Sequence, residues 1–292
     1  LLFPITILIL FIILIKKKLA RPIKFNIPII CMGNIYLGGT GKTPSSIFLA
    51  KELAALGKNP VILRKFYKSH VDEYSLIKNE FKNLILCHDR IDGIKQAEKE
   101  KFDTVILDDG LQDYKIKKKL NIACFTQNQK TGNGFIIPFG PLRESLNSLK
   151  DVNIILINGN RDEDFEKQIL NKNKNLKIFY SCFEPTNIDQ FRGKKLLAVA
   201  GIGNPENFFK LVQENSLVIQ EKLIFPDHYE FTENEIKNIV ERANNKKLQI
   251  ITTEKDYFKI KSFNMHEIKF LKVSLKINEK ERFIQTINAI YD

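Results

Sequence analysis

Apolar residues along the chain come in short blocks, and the spacing inside the blocks alternates between strand and helix character. Ile27 to Met32 is a continuous apolar run of the kind that forms a strand buried on both faces. After a glycine-rich interval, Ser45 to Gly57 carries Ile47, Phe48, Ala50, Leu53 and Ala54 at helical spacing and stops on a capping glycine. Val61-Ile62-Leu63, Thr104 to Leu107, Leu120 to Phe125 and Val152 to Ile157 predict further strands, and Ile178-Phe179-Tyr180 begins another. Polar residues crowd 161–175, and the strand pattern restarts at Leu196 to Ala200. A helix from Asn207, a helix opening at Thr232, a strand at Leu248 to Thr252 and a last strand at Ile268 to Val273 follow. The alternation is that of an α/β protein with parallel sheets.

Leu1 to Ile15 is an almost unbroken apolar run closed by Lys16-Lys17-Lys18, Arg21 and Lys24. Three membrane readings fit, a single-pass anchor, an interfacial helix and a cleaved signal, with a buried core helix as the alternative to them. No small-residue cleavage site follows, which favours attachment to a membrane, and the lysines place the rest of the chain on the cytoplasmic side.

The interval between the first strand and helix, Met32-Gly33-Asn34-Ile35-Tyr36-Leu37-Gly38-Gly39-Thr40-Gly41-Lys42-Thr43-Pro44, reads as a phosphate-binding loop. Backbone N–H groups at a helix N-terminus close around phosphate oxygens, a lysine meets the β/γ-phosphates and a hydroxyl holds magnesium. The longer form of the pattern has a glycine where Tyr36 stands, while Gly-Gly-Thr-Gly-Lys-Thr is intact. Tyr36 to Thr43 are therefore the expected ATP-binding residues, with Lys42 also catalytic. The run Thr104 to Asp109 ends an apolar strand in carboxylates, so Thr43 with Asp108 or Asp109 is the expected magnesium site. The expected architecture is a P-loop NTPase-like three-layer α/β/α domain over 25–180, a linker over 181–194 and a smaller α/β domain over 195–292 that contributes to the active site, preceded by an N-terminal membrane helix and basic flank over 1–24.

Other features carry less by themselves. Val71-Asp72-Glu73-Tyr74 reads as a loop whose carboxylates are solvated, and Phe225-Pro226-Asp227-His228 as a loop with a structural Asp-His pair. Arg143, in the glycine- and proline-rich 132–144 loop, suits anion recognition. Gly201-Ile202-Gly203 lacks a third glycine and reads as a tight turn. The net charge of +12 admits nucleic acid, an anionic membrane or an anionic substrate, but its lysines are scattered, which argues against nucleic acid. Cys31, Cys87, Cys124 and Cys182 are far apart, as reduced core residues of a cytoplasmic protein would be.

Together these pieces resemble the tetraacyldisaccharide 4'-kinase family, the lipid A 4'-kinases. The resemblance runs nearly end to end and rests on Gly33-Asn34 with Gly38 to Pro44, Leu107-Asp108-Asp109-Gly110 with Gln112, Gly140-Pro141-Leu142-Arg143-Glu144, Ala200 to Pro205, Phe225-Pro226-Asp227-His228 and Thr253-Glu254-Lys255-Asp256. It implies transfer of the γ-phosphate of ATP, with Mg2+, to the 4'-hydroxyl of a tetraacyldisaccharide 1-phosphate, giving lipid IV-A at the cytoplasmic face of the inner membrane. It also implies that Asp72 and His228 are an acid/base pair brought together by domain closure, and that Arg143, Glu144 and Gln112 face the substrate. The implied partners are the acylated disaccharide and the membrane surface, with no nucleic acid and no protein partner named. Arg64-Lys65-Phe66-Tyr67-Lys68 lacks the family's glycines, Val71 and Tyr74 replace a glycine and a proline, and Asp113 replaces a histidine. Two other classes share parts of the pattern: a membrane-surface ATPase switch, which usually has a lysine where Leu37 stands, and a degenerate homologue that only binds lipid.

Overall fold

The computed structural model describes residues 3–227 and 229–291. In chain order the elements are α1 (Phe3–Leu19), β1 (Ile29–Gly33), α2 (Lys42–Ala55), β2 (Pro60–Lys65), α3 (Val71–Glu80), β3 (Leu84–Cys87), α4 (Arg90–Lys99), β4 (Thr104–Asp108), β5 (Leu120–Thr126), β6 (Ile154–Asn158), α5 (Glu163–Leu170), β7 (Lys177–Pro185), β8 (Lys195–Ala200), α6 (Pro205–Glu214), β9 (Val218–Ile224), α7 (Glu233–Asn245), β10 (Gln249–Thr253), α8 (Glu254–Ile260), β11 (Ile268–Leu271), β12 (Val273–Ile277) and α9 (Lys280–Asn288). They fall into two compact units. The first comprises 1–66, 81–182 and 275–292, the second 67–80 and 183–274.

The first unit is built on an eight-stranded sheet in the order β12-β7-β6-β5-β1-β4-β2-β3. The strand pairings from β3 through to β7 are parallel. Side chains alternate across a strand, so the buried set Ile29, Cys31, Val61, Leu63, Val105 and Leu107 points to one face, where Ile94 and Ala97 of α4 close the cluster. The intervening Ile30, Met32, Ile62 and Ile106 are fully buried as well, which requires cover on the opposite face too. The C-terminal segment returns to this unit: Phe283 of α9 is fully buried, its ring 5.2 Å from Phe179 and 6.4 Å from Phe48. The strand expected over 268–273 is thus two strands, β11 in one sheet and β12 in the other.

The second unit is a four-stranded sheet, β11-β10-β8-β9, parallel throughout. Alternation along β8 distributes its residues cleanly. Leu197 and Val199 pack with Ile236, Ile239 and Val240 of α7, while Leu196, Ala198 and Ala200 pack with Phe208, Phe209 and Val212 of α6. Thr232 caps α7 through a reciprocal capping box with Glu235.

Two expectations change. Val71 to Tyr74 is the first turn of α3 and not a loop: Tyr74 and Ile77, three residues apart, are buried, and the Tyr74 hydroxyl accepts from Tyr67 N (2.6 Å) and donates to Tyr67 O (3.1 Å). This helix packs on α8 of the second unit, so the single cut near 181–194 is replaced by units that exchange segments. The N-terminal run is a helix, and the membrane-spanning reading of it finds no support in the described residues. α1 has 17 residues, and no helix among the described residues is long and apolar enough to cross a membrane. One stripe of α1, Ile9, Leu10 and Ile13, packs on the first unit's core beside Ile155 and Phe165, while Leu8, Phe11 and Leu14 are exposed.

Candidate active site

The glycine-rich loop joins β1 to α2, and Gly41 is the residue that begins the helix, in a left-handed conformation (φ 83°). Gly38 also lies in the positive-φ region at 120°; both backbones suit glycine, which has no Cβ to clash. The loop is braced from inside by Asn34, whose fully buried amide donates to Gly38 O (3.1 Å) and Thr40 Oγ1 (2.9 Å). Gln112, expected at the substrate, instead donates to Asn34 O at 3.0 Å. The 140–144 segment is laced to the same loop, with Leu37 N donating to Pro141 O (2.8 Å) and Arg143 N to Ile35 O (2.7 Å). Leu37, Gly38 and Gly39 are exposed, Tyr36 is half-buried and Thr40 is buried.

The two aspartates at the end of β4 have different partners. Asp108 is fully buried; its Oδ2 accepts from Thr43 Oγ1 (3.0 Å), its Oδ1 from Ser46 Oγ (3.1 Å), and the Arg64 guanidinium pairs with it. The same Arg64 nitrogen donates to Thr43 Oγ1 at 2.8 Å. Asp109, at φ 63°, turns the other way, where both of its oxygens accept from Arg143 (3.0 and 2.9 Å) and Lys42 Nζ lies 3.7 Å away. Its backbone is fixed on both sides, by a bond from its N–H to Met32 O (2.7 Å) and by Arg90 donating to its carbonyl (2.6 Å).

The electrostatics follow from this division. Burial pushes the Asp109 carboxyl up, but Lys42 and Arg143 outweigh it and hold the group below the ordinary carboxylate range. Burial lowers the Lys42 pKa, Asp109 offsets part of that, and Arg143 adds to the depression. An anion arriving at Lys42 supplies the counter-charge that burial makes expensive to lack. Burial likewise raises the pKa of Glu144, whose carboxylate accepts from the Tyr114 hydroxyl and which lines, with Tyr114, Lys17, Lys118 and Asp151, a cavity of about 530 Å³. The thiols of Cys31 and Cys87 are pushed up to about 11 and that of Cys124 to about 12, so they stay protonated.

Thr43 Oγ1 and Asp108 Oδ2 form the pair of hard oxygen donors that suits magnesium. Both aspartates carry cations, Arg64 on Asp108 Oδ2 and Lys42 with Arg143 on Asp109; what favours Asp108 is the Thr43 hydroxyl beside it. Asp72 lies in the first turn of α3, and position 228 falls outside the described residues; the flanking Asp227 and Tyr229 belong with α3 to the second unit. The expectation that closure between units unites Asp72 with the 228 loop therefore changes, because both segments belong to one unit. Ser46 is a site residue that the sequence reading did not single out, and Arg64 was read only as the start of the 64–68 segment leaving the second strand, whereas it lies within β2. The signals were there: Ser46 stands one helical turn beyond Thr43, and an arginine inside the apolar run of β2 has to find a partner.

A parallel α/β unit with a glycine-rich strand-to-helix loop, a lysine and hydroxyl opening the helix, and a buried carboxylate ending the adjacent strand defines a phosphate-handling enzyme of the kinase class. A family model for tetraacyldisaccharide-1-P 4'-kinase (LpxK) matches residues 1–292, and the chain belongs to that family. Among its relatives is the tetraacyldisaccharide 4'-kinase of Pelagibacter ubique, 38% identical over 276 residues, covering 92% of this chain and 87% of that protein. That of Francisella tularensis subsp. novicida is 32% identical over 295 residues, covering 90% and 89%. The crystal structure of LpxK from Aquifex aeolicus in complex with ATP superposes with a TM-score of 0.75 over 99% of this chain and 98% of that one; at 22% identity the likeness is one of fold.

Arg64 is the formal counter-charge of a fully buried carboxylate, so Arg64→Met should lower the unfolding free energy by about 3 kcal/mol, the cost of breaking a buried ion pair from one side. Denaturant unfolding measures this. A loss below about 0.5 kcal/mol, the size expected of a surface change, would show that Thr43 and Ser46 alone satisfy Asp108.

Proposed function

We propose that this protein transfers the γ-phosphate of ATP to the 4'-hydroxyl of a tetraacyldisaccharide 1-phosphate, producing lipid IV-A. The observation that carries the reading is the paired arrangement of Thr43 with Asp108 and of Lys42 with Asp109, in a chain whose whole length belongs to the family. Phosphoryl transfer asks a protein mainly for positioning and charge stabilisation. The loop amides from Gly38 to Thr43 and the Lys42 ammonium take the phosphate oxygens. Asp109 holds Lys42 and Arg143 side by side, so both cations are oriented before substrate arrives. Thr43 and Asp108 would hold Mg2+, which when bound neutralises phosphate charge and polarises the transferred group. Asp72 takes the proton of the sugar hydroxyl, and His228 keeps Asp72 in its working geometry. Glu144 and Gln112 act through the loop they support, Gln112 by its bond to Asn34.

The acylated substrate has to be met at a membrane surface. We assign that contact, on the cytoplasmic face of the inner membrane, to α1 lying in the interface. Its exposed Leu8, Phe11 and Leu14 supply apolar area, and Lys16, Lys17 and Lys18 sit at its C-terminal turn.

Protein incubated in detergent with ATP, Mg2+ and the tetraacyl disaccharide 1-phosphate should yield a lipid carrying one additional phosphate, read by mass spectrometry. Lys42→Ala and Asp72→Asn should each lower turnover by roughly 100-fold or more while melting at the wild-type temperature. Absence of lipid product, together with ATP hydrolysis stimulated by vesicles, would point to a membrane-surface ATPase switch instead. For the membrane contact, Leu8→Ser, Phe11→Ser and Leu14→Ser combined should weaken sedimentation with phosphatidylglycerol vesicles by at least about 100-fold, since burying each such side chain contributes roughly 1.5–3 kcal/mol. Undiminished sedimentation would remove α1 from that role.

A further inference from the structure

The motif Thr253-Glu254-Lys255-Asp256 has no part in the phosphate site described above, yet its side chains are among the most constrained of the second unit. Thr253 caps α8, its hydroxyl accepting from Asp256 N (3.1 Å) and donating to Asp256 Oδ2 (2.8 Å). Asp256 is fully buried and also accepts from Gly201 N (2.8 Å), at the end of β8, and from Lys259 Nζ (3.0 Å). The first turn of α8 is thereby pinned to the carboxyl ends of two parallel strands, the edge of such sheets where ligands are handled.

Lys255 projects from that pinned turn. Its ammonium lies 3.3 Å from Glu73 Oε1 and 3.2 Å from Asp227 Oδ1, and only 18% of its side chain is exposed. Glu73 directly follows Asp72 at the start of α3, and Asp227 directly precedes position 228. These two segments lie more than 140 residues apart in sequence, and one cation holds a carboxylate from each. Among the described residues, His70 Nδ1 lies 3.7 Å from Glu73 Oε2, and the Asp256–Lys259 pair sits on the same short helix as Lys255.

We propose that Lys255 is a positioning residue for phosphoryl transfer: by clamping Glu73 and Asp227 it fixes the start of α3, the turn that carries Asp72, against the segment that leads into position 228. The inference rests on the acid/base reading of Asp72 and His228. A base displaced by as little as about 1 Å loses much of its advantage, on the order of 100-fold in rate. The expected ATP-binding residues, Gly38 to Thr43, and Asp108 belong to the first unit and the clamp to the second, so the clamp should act on turnover and leave MgATP binding alone.

The experiment measures kcat and the KM for MgATP in Lys255→Met, Lys255→Arg, Glu73→Gln with Asp227→Asn, and that double variant combined with Lys255→Met, alongside melting temperatures. Lys255→Met should lower kcat by roughly 10- to 100-fold with the MgATP KM within twofold. Lys255→Arg should recover most of the loss. In the background lacking both carboxylates, Lys255→Met should cost less than twofold more, because the two charges it clamps are already gone. A wild-type kcat in Lys255→Met overturns the proposal, and so does an undiminished penalty in that background, which would mean that Lys255 acts through the fold at large. Asp72→Asn alone tests the underlying reading: if it turns over like the wild type, the acid/base assignment fails and the clamp's role fails with it. Loss in Asp72→Asn with none in Lys255→Met leaves the assignment standing and removes only the clamp.

Discussion

β4 ends in two consecutive carboxylates, and the first unit is arranged so that neither is left without positive charge. Asp108 completes the strand and meets Arg64, Thr43 and Ser46 in a fully buried setting. Asp109 leaves the strand at positive φ and meets Lys42 and Arg143. Much else is support for that division. β1 and β2 flank β4 in the sheet, so the loop that follows β1 and the arginine on β2 arrive beside it. Asn34 and Gln112 hold the loop from within, and the 140–144 segment, hydrogen-bonded to the loop backbone, brings Arg143 to Asp109. Burying two charged clusters is costly unless each is paired, and here the pairing also prepares the groups that phosphate chemistry calls for.

The second unit follows a similar logic with a smaller sheet. Its buried carboxylate, Asp256, ties the start of α8 to the end of β8 and does no evident phosphate work. What it supports is the placement of Lys255 between residues adjoining Asp72 and position 228. Assignment of α3 to this unit, although its sequence falls between β2 and β3 of the other, puts the turn that carries Asp72 on the same unit as Asp227 and Tyr229. In the proposed mechanism, positioning of the Asp72 turn then comes from local ion pairs and not from the closing of two domains.

Much of this was legible in the residues because parallel strands buried on both faces leave continuous apolar runs. β1, β2, β4, β5, β6, β8 and β10 all announce themselves that way, and the glycine-lysine-threonine loop after β1 and the paired aspartates after β4 could be located from them. Elements with only half a pattern were harder. β9 is a sheet-edge strand whose alternate residues are exposed, and α3 opens with Val71-Asp72-Glu73 and buries mainly Tyr74 and Ile77. The apolar character of α1 was plain, but its packing was not, since sequence cannot say that Ile9, Leu10 and Ile13 find a core to lie against. Arg64 and Gln112 show the same limit: each is a polar residue whose partner, Asp108 or the Asn34 carbonyl, is distant in sequence and near only once the sheet has formed.

The division of labour between the two aspartates is tested most directly by titrating turnover with Mg2+ in Asp108→Asn and Asp109→Asn. If Thr43 and Asp108 hold the metal, Asp108→Asn should raise the Mg2+ concentration for half-maximal turnover by at least about tenfold, in line with the loss of one charged ligand. Asp109→Asn should leave that concentration within about twofold and lower kcat, by releasing Lys42 and Arg143. The reverse pattern, with the metal requirement following Asp109, would contradict the account.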